Sequence, residues 1–168
     1  MKLQALQSDI TIPNMDAIVN AANSSLLGGG GVDGAIHWAA GPEMLADCLT
    51  LNGCRTGEAK MTKGHRLKAC HVIHTVGPVW HGGKNGEADK LRVCYTNSLR
   101  LAAENGLQSI AFPRISTGMH RFPSDQAAQI AVESLRTFLA APCSIQTVVF
   151  CCFSAADAEL YRRELRQD

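Results

Sequence analysis

The chain has 168 residues, of which 46% are hydrophobic and 18% charged, and its formal net charge is +1. This composition is typical of an ordinary globular protein and excludes a disordered chain. The near-neutral charge disfavours a broad nucleic-acid surface, because phosphate backbones are bound by clustered Lys and Arg. The length predicts a single domain over residues 1–168.

Two further features bear on the compartment in which the protein works. The N-terminal residues 1–9 lack the apolar core of a signal peptide, and no run approaches the ~18 apolar residues that a membrane span requires. The seven cysteines include no C-x-x-C pair, and several lie in apolar runs such as Val148–Phe153. Cysteines used in this way favour a reducing compartment over a disulfide framework. The sequence therefore predicts a cytoplasmic protein without a membrane partner.

Short β-rich runs alternate with longer helical patterns along the chain. The predicted elements are, in chain order, strands Lys2–Gln7 and Ala17–Ala21, helices Val32–Ala40 and Pro42–Leu51, strands Glu58–Thr62 and Val72–Val76, helix Ala88–Asn105, strand Ser109–Pro113, helix Ser124–Leu139, strand Thr147–Cys152 and helix Ala155–Arg166. This alternation predicts an α/β fold, a three-layer α/β/α sandwich with a mixed, largely parallel central sheet. Ligands of such sheets bind at the carboxyl ends of the strands, which here means the loops after Asn20, Pro113 and Cys152.

A run of four glycines, Gly28–Gly31, directly precedes the first predicted helix. Glycine permits positive φ and close backbone approach, so such a loop can direct several N–H groups at one anion. The helix behind the loop adds the positive end of its dipole and its unpaired N–H groups. The segment therefore predicts a phosphate site that needs no lysine, with a flexible tight turn as the alternative.

Gly29, Gly31 and Gly34 also match G-x-G-x-x-G, the dinucleotide-binding pattern. That pattern should directly follow a strand and carry an acidic residue some 20 positions later. Here an eight-residue connector follows Asn20, and the expected acidic position falls among Leu49–Leu51. A nucleotide-cofactor oxidoreductase is therefore a weak rival interpretation.

Polar side chains flank the glycine run on both sides. Asp33, at the start of the predicted helix, either stabilises the helix terminus or activates and positions a water molecule. Asn20 and Asn23 are either turn formers or amides that bind ligand hydroxyls. The two sides together make this loop the candidate reaction site.

The segment Val19–Gly41 resembles the signature of macrodomains, and specifically the MacroD-type branch with hydrolase activity. Three later segments, His74–Trp80, Phe112–Pro123 and Val148–Phe153, agree with that family in order. The resemblance covers nearly the whole chain. It implies that the protein binds ADP-ribose without a cofactor. It further implies hydrolysis of O-acetyl-ADP-ribose, or removal of mono-ADP-ribose from acidic side chains of proteins, with a non-catalytic ADP-ribose-binding module as the alternative.

The resemblance also implies roles for particular residues. Asn20 and Asp33 match the catalytic pair, with Asn20 bound to a ribose hydroxyl. Asp9 matches a reader of the adenine amino group, and Phe153 matches a ring that packs on adenine, with an ordinary core position as its alternative. The other predicted ligand-binding residues are Ile10 and Asn23, Gly30, Gly31 and Val32 of a first diphosphate loop, and Ser116, Thr117, Gly118, Met119 and His120 of a second loop.

The second loop departs from the family pattern, which commonly reads G-[VI]-[YF]-G-[YF]-P. Here His120 replaces an aromatic residue and Arg121 replaces a glycine. Arg121 either contacts a phosphate or points into solvent, and the same question applies to Arg114. No metal site is predicted, because strand alternation sends His71 and His74 to opposite faces of the sheet.

Overall fold

The computed structural model of the protein describes residues 1–167. Within them strands and helices alternate along the chain, close to the predicted pattern. The elements are, in chain order, β1 (Lys2–Gln7), β2 (Ala17–Ala21), α1 (Gly31–Ala40), α2 (Pro42–Thr50), β3 (Ala59–Lys63), β4 (His71–Thr75), α3 (Glu87–Glu104), β5 (Ser109–Phe112), α4 (Ser124–Leu139), β6 (Thr147–Cys152) and α5 (Ala155–Arg166).

The strands of the described chain form one sheet in the order β1-β6-β5-β2-β4-β3. Every neighbouring pair is parallel except β3 with β4. The central strands β5 and β2 are nearly continuously apolar, as is typical of strands covered on both faces. The mixed, largely parallel sheet that the alternating pattern predicts is therefore confirmed.

Helices cover both faces of this sheet because side chains of each strand alternate between two apolar layers. In β2, Val19 packs in one layer and Ile18 in the other. Helices α3, α4 and α5 cover the first face through residues such as Leu91 and Leu135. Helices α1 and α2 cover the second face, with Ile36 fully buried there. The result is the predicted three-layer α/β/α sandwich.

Several element boundaries lie one residue away from the prediction. The ladder between β3 and β4 pairs Lys63 with His71 at one end and Ala59 with Thr75 at the other. Val76 lies beyond this ladder, and its carbonyl accepts a hydrogen bond from the loop N–H of Gly57 instead. Strand pairing, which a single segment does not reveal, sets these ends.

All seven cysteines are free within the described chain. Cys70 and Cys143 are exposed, whereas the other five are buried. Cys70 immediately precedes β4 and Cys143 lies shortly before β6, so both occupy loops that enter strands. None of the helices in residues 1–167 is long and apolar enough to cross a bilayer.

Candidate functional site

A cavity of about 680 Å³ opens at the carboxyl ends of the central strands. It is lined by the loops that follow β2, β5 and β6, the three loops that the strand-end rule singled out. The start of α1 and Gly77, from the loop after β4, complete its wall. Loops far apart in the sequence therefore meet at one edge of the sheet.

The glycine run forms a wall of this cavity and leads directly into α1. Gly30 is the N-cap of the helix, and no side chain caps it, so the first N–H groups of α1 have no side-chain acceptor. Gly34 packs against the turn so closely that a Cβ there would lie 2.5 Å from the carbonyl oxygen of Gly29. Gly30, Gly31 and Val32 all line the cavity, as the resemblance implies. Uncapped amides at a helix N-terminus form an anion site.

Asn23 braces the glycine turn from inside. Its Nδ2 donates to the carbonyl oxygen of Gly28 over 2.7 Å, while its Oδ1 accepts from Ser25 Oγ and from the N–H of Leu26. Asn23 also lines the cavity. Both the Nδ2 and the Oδ1 of this amide form hydrogen bonds within the loop. Asn23 therefore acts at least as a structural brace of the predicted binding loop.

Asp33 lines the cavity from the first turn of α1 and is only 4% exposed. Its Oδ1 accepts a hydrogen bond of 2.8 Å from Asn20 Nδ2 and lies 3.4 Å from His37 Nε2. Its Oδ2 makes no hydrogen bond to any residue that the structure describes. One carboxylate oxygen is thus held by the protein, and the other remains available at the cavity wall.

The contact between Asn20 and a ribose hydroxyl stays a prediction, and in this structure the Asn20 side chain bonds to protein groups. Asn20 is fully buried at the end of β2 and does not line the cavity. Its amide lies behind Asp33, with Nδ2 bonded to that carboxylate and Oδ1 buried without a partner in the described chain. The reason is the β2–β4 pairing, which places Asn20 directly beside His74 in the sheet interior.

His74 extends this polar group deeper into the molecule. Its Nδ1 lies 3.1 Å from Asn20 Nδ2, and its Nε2 lies 2.9 Å from Thr62 Oγ1 and 3.9 Å from Cys48 Sγ. Burial lowers the pKa of His74 to about 4, with a smaller contribution from the neighbouring His37. Burial likewise raises the pKa of the Cys48 thiol to about 11. His74 is therefore neutral at pH 7.

Residues 114–120 of the second predicted loop, which continues through Arg121, form the opposite wall of the cavity. The backbone N–H of Phe122 donates to the carbonyl oxygen of Ser116, and that of Trp80 donates to His120, each over 2.8 Å. The Trp80 and Phe122 rings pack with centroids 4.8 Å apart. The hydroxyls of Ser116 and Thr117 are buried without a hydrogen-bond partner in the described chain, although both residues line the cavity.

The two arginines of this loop have different environments. Arg121 is exposed, has φ 63° and is not among the residues that line the cavity. Arg114 does line it, and its guanidinium makes an ion pair of 2.9 Å with Asp157 of α5. In this structure Arg121 is therefore directed to solvent and Arg114 has a protein partner, while a phosphate contact of either arginine stays untested.

At the far end of the cavity, Phe153 is 55% exposed and lines the wall beside Cys151. The alternative that Phe153 is an ordinary core residue is wrong, because β6 has ended and the ring faces outwards. Ile10 is buried in the core and does not line the cavity. Asp9 is exposed outside the lining residues, with its Oδ1 bonded to Thr11. The adenine contacts of Asp9 and Ile10 stay predictions.

The sequence analysis missed two residues that shape the site. His37 lies one helical turn after Asp33, and that i, i+4 spacing could have placed both on one face of α1. Glu87 accepts hydrogen bonds from the backbone N–H groups of His81, Gly83 and Asn85, which lower its pKa to about 2. It thereby fixes the loop that carries Trp80.

The sequence of this chain matches a known protein family. Residues 19–131 match the Macro domain, and the chain belongs to that family. It is 59% identical to a macro domain-containing protein of Chlorobaculum tepidum over 97% of this chain and 95% of that protein. It is also 49% identical to the human ADP-ribose glycohydrolase MACROD2, over 99% of this chain and 40% of that protein.

Solved structures agree with these relatives. The Oceanobacillus iheyensis macrodomain, solved as a mutant with ADPR, superposes with a TM-score of 0.93 at 41% identity, covering 98% of this chain and 91% of that one. The Trypanosoma brucei macrodomain in complex with ADP-ribose superposes with a TM-score of 0.91 at 44% identity, covering 97% and 68%. The similarity extends over the strands and loops that build the cavity.

Proposed function

We propose that the protein binds ADP-ribose in the cavity, with the diphosphate on the uncapped amides of Gly30–Val32. The similar macrodomains of Oceanobacillus iheyensis and Trypanosoma brucei, solved with ADPR and ADP-ribose, support this ligand. Within the described chain the lining contains no lysine, and its arginine, Arg114, is already paired with Asp157. Backbone amides and a helix dipole are therefore the main counter-charge for the phosphates.

The second loop supplies further donors to the same ligand. Ser116 and Thr117 line the cavity opposite the glycine turn, and their buried hydroxyls have no hydrogen-bond partner in the described chain. Buried hydroxyls without a partner are costly, so a ligand that accepts their hydrogen bonds gains affinity. Phe153 offers its exposed ring at the other end, where base stacking would contribute roughly 1–3 kcal/mol.

We further propose that the bound ligand is hydrolysed at its distal ribose. The observation that carries this step is Asp33, whose Oδ2 remains unbonded beside the phosphate-binding amides. Binding the diphosphate to the amides orients the sugar beyond it next to this carboxylate. Oδ2 then holds a water molecule and accepts its proton as the attack proceeds. The name of the relative MACROD2, an ADP-ribose glycohydrolase, supports this class of reaction.

Two substrates fit this arrangement. In the first, mono-ADP-ribose on a protein acidic side chain, the water oxygen bonds to the anomeric carbon, the bond from that carbon to the acyl oxygen breaks, and the side-chain carboxylate leaves. In the second, O-acetyl-ADP-ribose, water attacks the acetyl carbon and the ribose hydroxyl leaves with a proton. Both reactions consume one water and release ADP-ribose.

The proposal is tested with Asp33→Ala and Asp33→Asn. We expect both variants to bind ADP-ribose within about threefold of the unmodified protein, whereas turnover falls by roughly 10²–10⁴-fold because the proton acceptor is lost. Binding is measured by calorimetry, and turnover by release of ADP-ribose from an ADP-ribosylated glutamate peptide and of acetate from O-acetyl-ADP-ribose. Asp125→Ala, on an exposed position of α4, is the matched control.

The outcomes separate the proposed enzyme from a binding module. If the unmodified protein binds ADP-ribose but hydrolyses neither substrate, the chain is a reader of ADP-ribose and the catalytic proposal is wrong. Full activity in Asp33→Ala would instead assign catalysis to another group. Absence of measurable ADP-ribose affinity at low salt would overturn both parts.

A further inference from the structure

We propose that His74 is a positioning residue, which together with Thr62 fixes the amide orientation of Asn20 and through it the carboxylate of Asp33. The inference rests on the proposed catalytic role of Asp33. None of the three supporting residues lines the cavity, so they act on the reaction only through the carboxylate.

Thr62, His74 and Asn20 form a row across three adjacent strands. β3, β4 and β2 are neighbours in the sheet, and Asn20 and His74 are direct Cα partners. Alternation along each strand directs all three side chains to the face covered by α1 and α2. Asn20 and His74 are fully buried and Thr62 is nearly so, which means that bulk water does not compensate these polar groups.

The direction of the hydrogen bonds in this row follows from its two ends. At the cavity end, a carboxylate only accepts, so the amide group near Asp33 Oδ1 must be Nδ2 of Asn20. The second hydrogen of that Nδ2 then points to His74 Nδ1, which must accept it. A neutral imidazole that accepts at Nδ1 carries its proton on Nε2.

The other end of the row is consistent with this tautomer. Thr62 donates its hydroxyl proton to Met44 Sδ over 3.2 Å, which leaves its oxygen free to accept. The Nε2–H of His74 donates to that oxygen over 2.9 Å. The chain of donors therefore runs without conflict from Asn20 to Asp33 at one side and from His74 through Thr62 to Met44 at the other.

The opposite tautomer would disturb the carboxylate. A proton on His74 Nδ1 would face the hydrogens of Asn20 Nδ2, and the amide would have to rotate to present Oδ1. That oxygen would then also face Asp33 Oδ1 and repel it. Two ionisable groups pack against the imidazole: the His37 ring from α1, with centroids 6.3 Å apart, and Cys48 from α2, whose Sγ lies 3.9 Å from Nε2. Both are farther from it than Thr62 Oγ1, at 2.9 Å.

Two amide substitutions of His74 separate its two contacts. In His74→Asn the shorter amide reaches the position of Nδ1 and can accept a hydrogen bond from Asn20. In His74→Gln the longer amide reaches the position of Nε2 and can form a hydrogen bond only with Thr62. We expect His74→Asn to keep turnover within about threefold and His74→Gln to lose at least about tenfold, because only the former holds the group that orients the carboxylate. Both should bind ADP-ribose as the unmodified protein does.

A second pair, Thr62→Val and Thr62→Ser, tests the same row with smaller changes. Valine removes the acceptor for Nε2–H at nearly constant shape, whereas serine keeps it. We expect a loss of turnover without loss of ADP-ribose affinity in Thr62→Val, and rescue in Thr62→Ser. Turnover at the unmodified rate in both His74→Gln and Thr62→Val would overturn the proposal, as would an equal loss of affinity and rate.

The tautomer itself is read without any assay of activity. The ¹⁵N chemical shifts of the His74 ring in the unmodified protein at pH 7 should show Nε2 protonated and Nδ1 bare. A proton on Nδ1 would overturn the inference even if Asp33 proves catalytic. Conversely, if the unmodified protein turns over no substrate while the shifts are as expected, the proposed function fails and the geometry of the row stands.

Discussion

Two non-glycine residues of the second loop, Ser116 and Arg121, adopt the left-handed region, with φ 67° and 63°. Such a conformation costs an L-residue roughly 1–2 kcal/mol relative to the right-handed region. The surrounding bonds compensate for it, since the carbonyl of Ser116 accepts the N–H of Phe122 and the N–H of Arg121 donates to Gly118. The glycine that the family prefers at the position of Arg121 thus has a conformational basis.

This geometry gives a prediction for Arg121. Arg121→Gly relieves the left-handed strain, but it also increases the conformational entropy of the unfolded chain, which costs roughly 0.5–1 kcal/mol. The free energy of unfolding should therefore change by less than about 1 kcal/mol. Arg121→Val should lower the melting temperature by several degrees, because a β-branched residue is poorly accommodated at positive φ. Thermal unfolding of both variants measures the difference.

The same glycine variant tests the environment of the arginine side chain. Because Arg121 is exposed and does not line the cavity, Arg121→Gly should retain its affinity for ADP-ribose in calorimetry. A tenfold weaker complex would show that the guanidinium reaches a phosphate of the ligand.

At the scale of elements, the cavity depends on loops that pack tightly on one another. Gly77, after β4, lies against the start of the second loop so closely that a Cβ would overlap Ser116 Oγ and come within 2.7 Å of Ile115 Cγ2. Trp80, in a turn that Glu87 fixes, then donates its N–H to His120 of the same loop. The wall opposite the glycine turn is therefore positioned by residues outside it.

We expect Gly77→Ala to destabilise the fold by roughly 1–3 kcal/mol, because overpacking at a backbone contact forces the two loops apart. The affinity for ADP-ribose should fall as well, since Ser116 moves. Gly118→Ala is the matched control in the same loop, because a Cβ there meets nothing within 4 Å. Denaturant unfolding gives the stabilities, and equal midpoints for the two variants would contradict the packing argument.

The elements and the location of the site could be predicted from sequence because both follow local rules. Alternating apolar segments predict the sheet, and the strand-end rule predicts that the loops after Asn20 and Pro113 meet. The depth of Asn20 could not be predicted, since it depends on the register between β2 and β4. The ion pair of Arg114 with Asp157 joins residues of different elements, and no local pattern indicates it.

At the scale of the whole molecule, His74 in the polar row beneath the site affects the stability of the fold at acidic pH as well as the proposed reaction. His74 has a folded-state pKa of about 4, against 6.5 for an unperturbed histidine. In the unfolded chain it therefore binds a proton between these values while the folded protein does not. The contribution of His74 to the free energy of unfolding is therefore fully present above pH 6.5 and is lost as the pH falls towards 4.

We expect the free energy of unfolding to fall by roughly 3 kcal/mol from this residue between pH 6.5 and pH 4. Urea unfolding at a series of pH values measures this dependence. His74→Asn is the control, since its side chain does not titrate and its stability should vary less over the same interval. Parallel curves for the two proteins would show that His74 is not the group responsible.

The placement of the two accessible thiols has a practical consequence. Cys70 and Cys143 lie on loops that enter β4 and β6, whereas the cavity opens where the parallel strands end. Maleimide dyes or a biotin tether attached to these two sulfurs would sit on the opposite pole of the molecule. The unmutated chain can thus be immobilised on a sensor chip with its ligand entrance facing the flow.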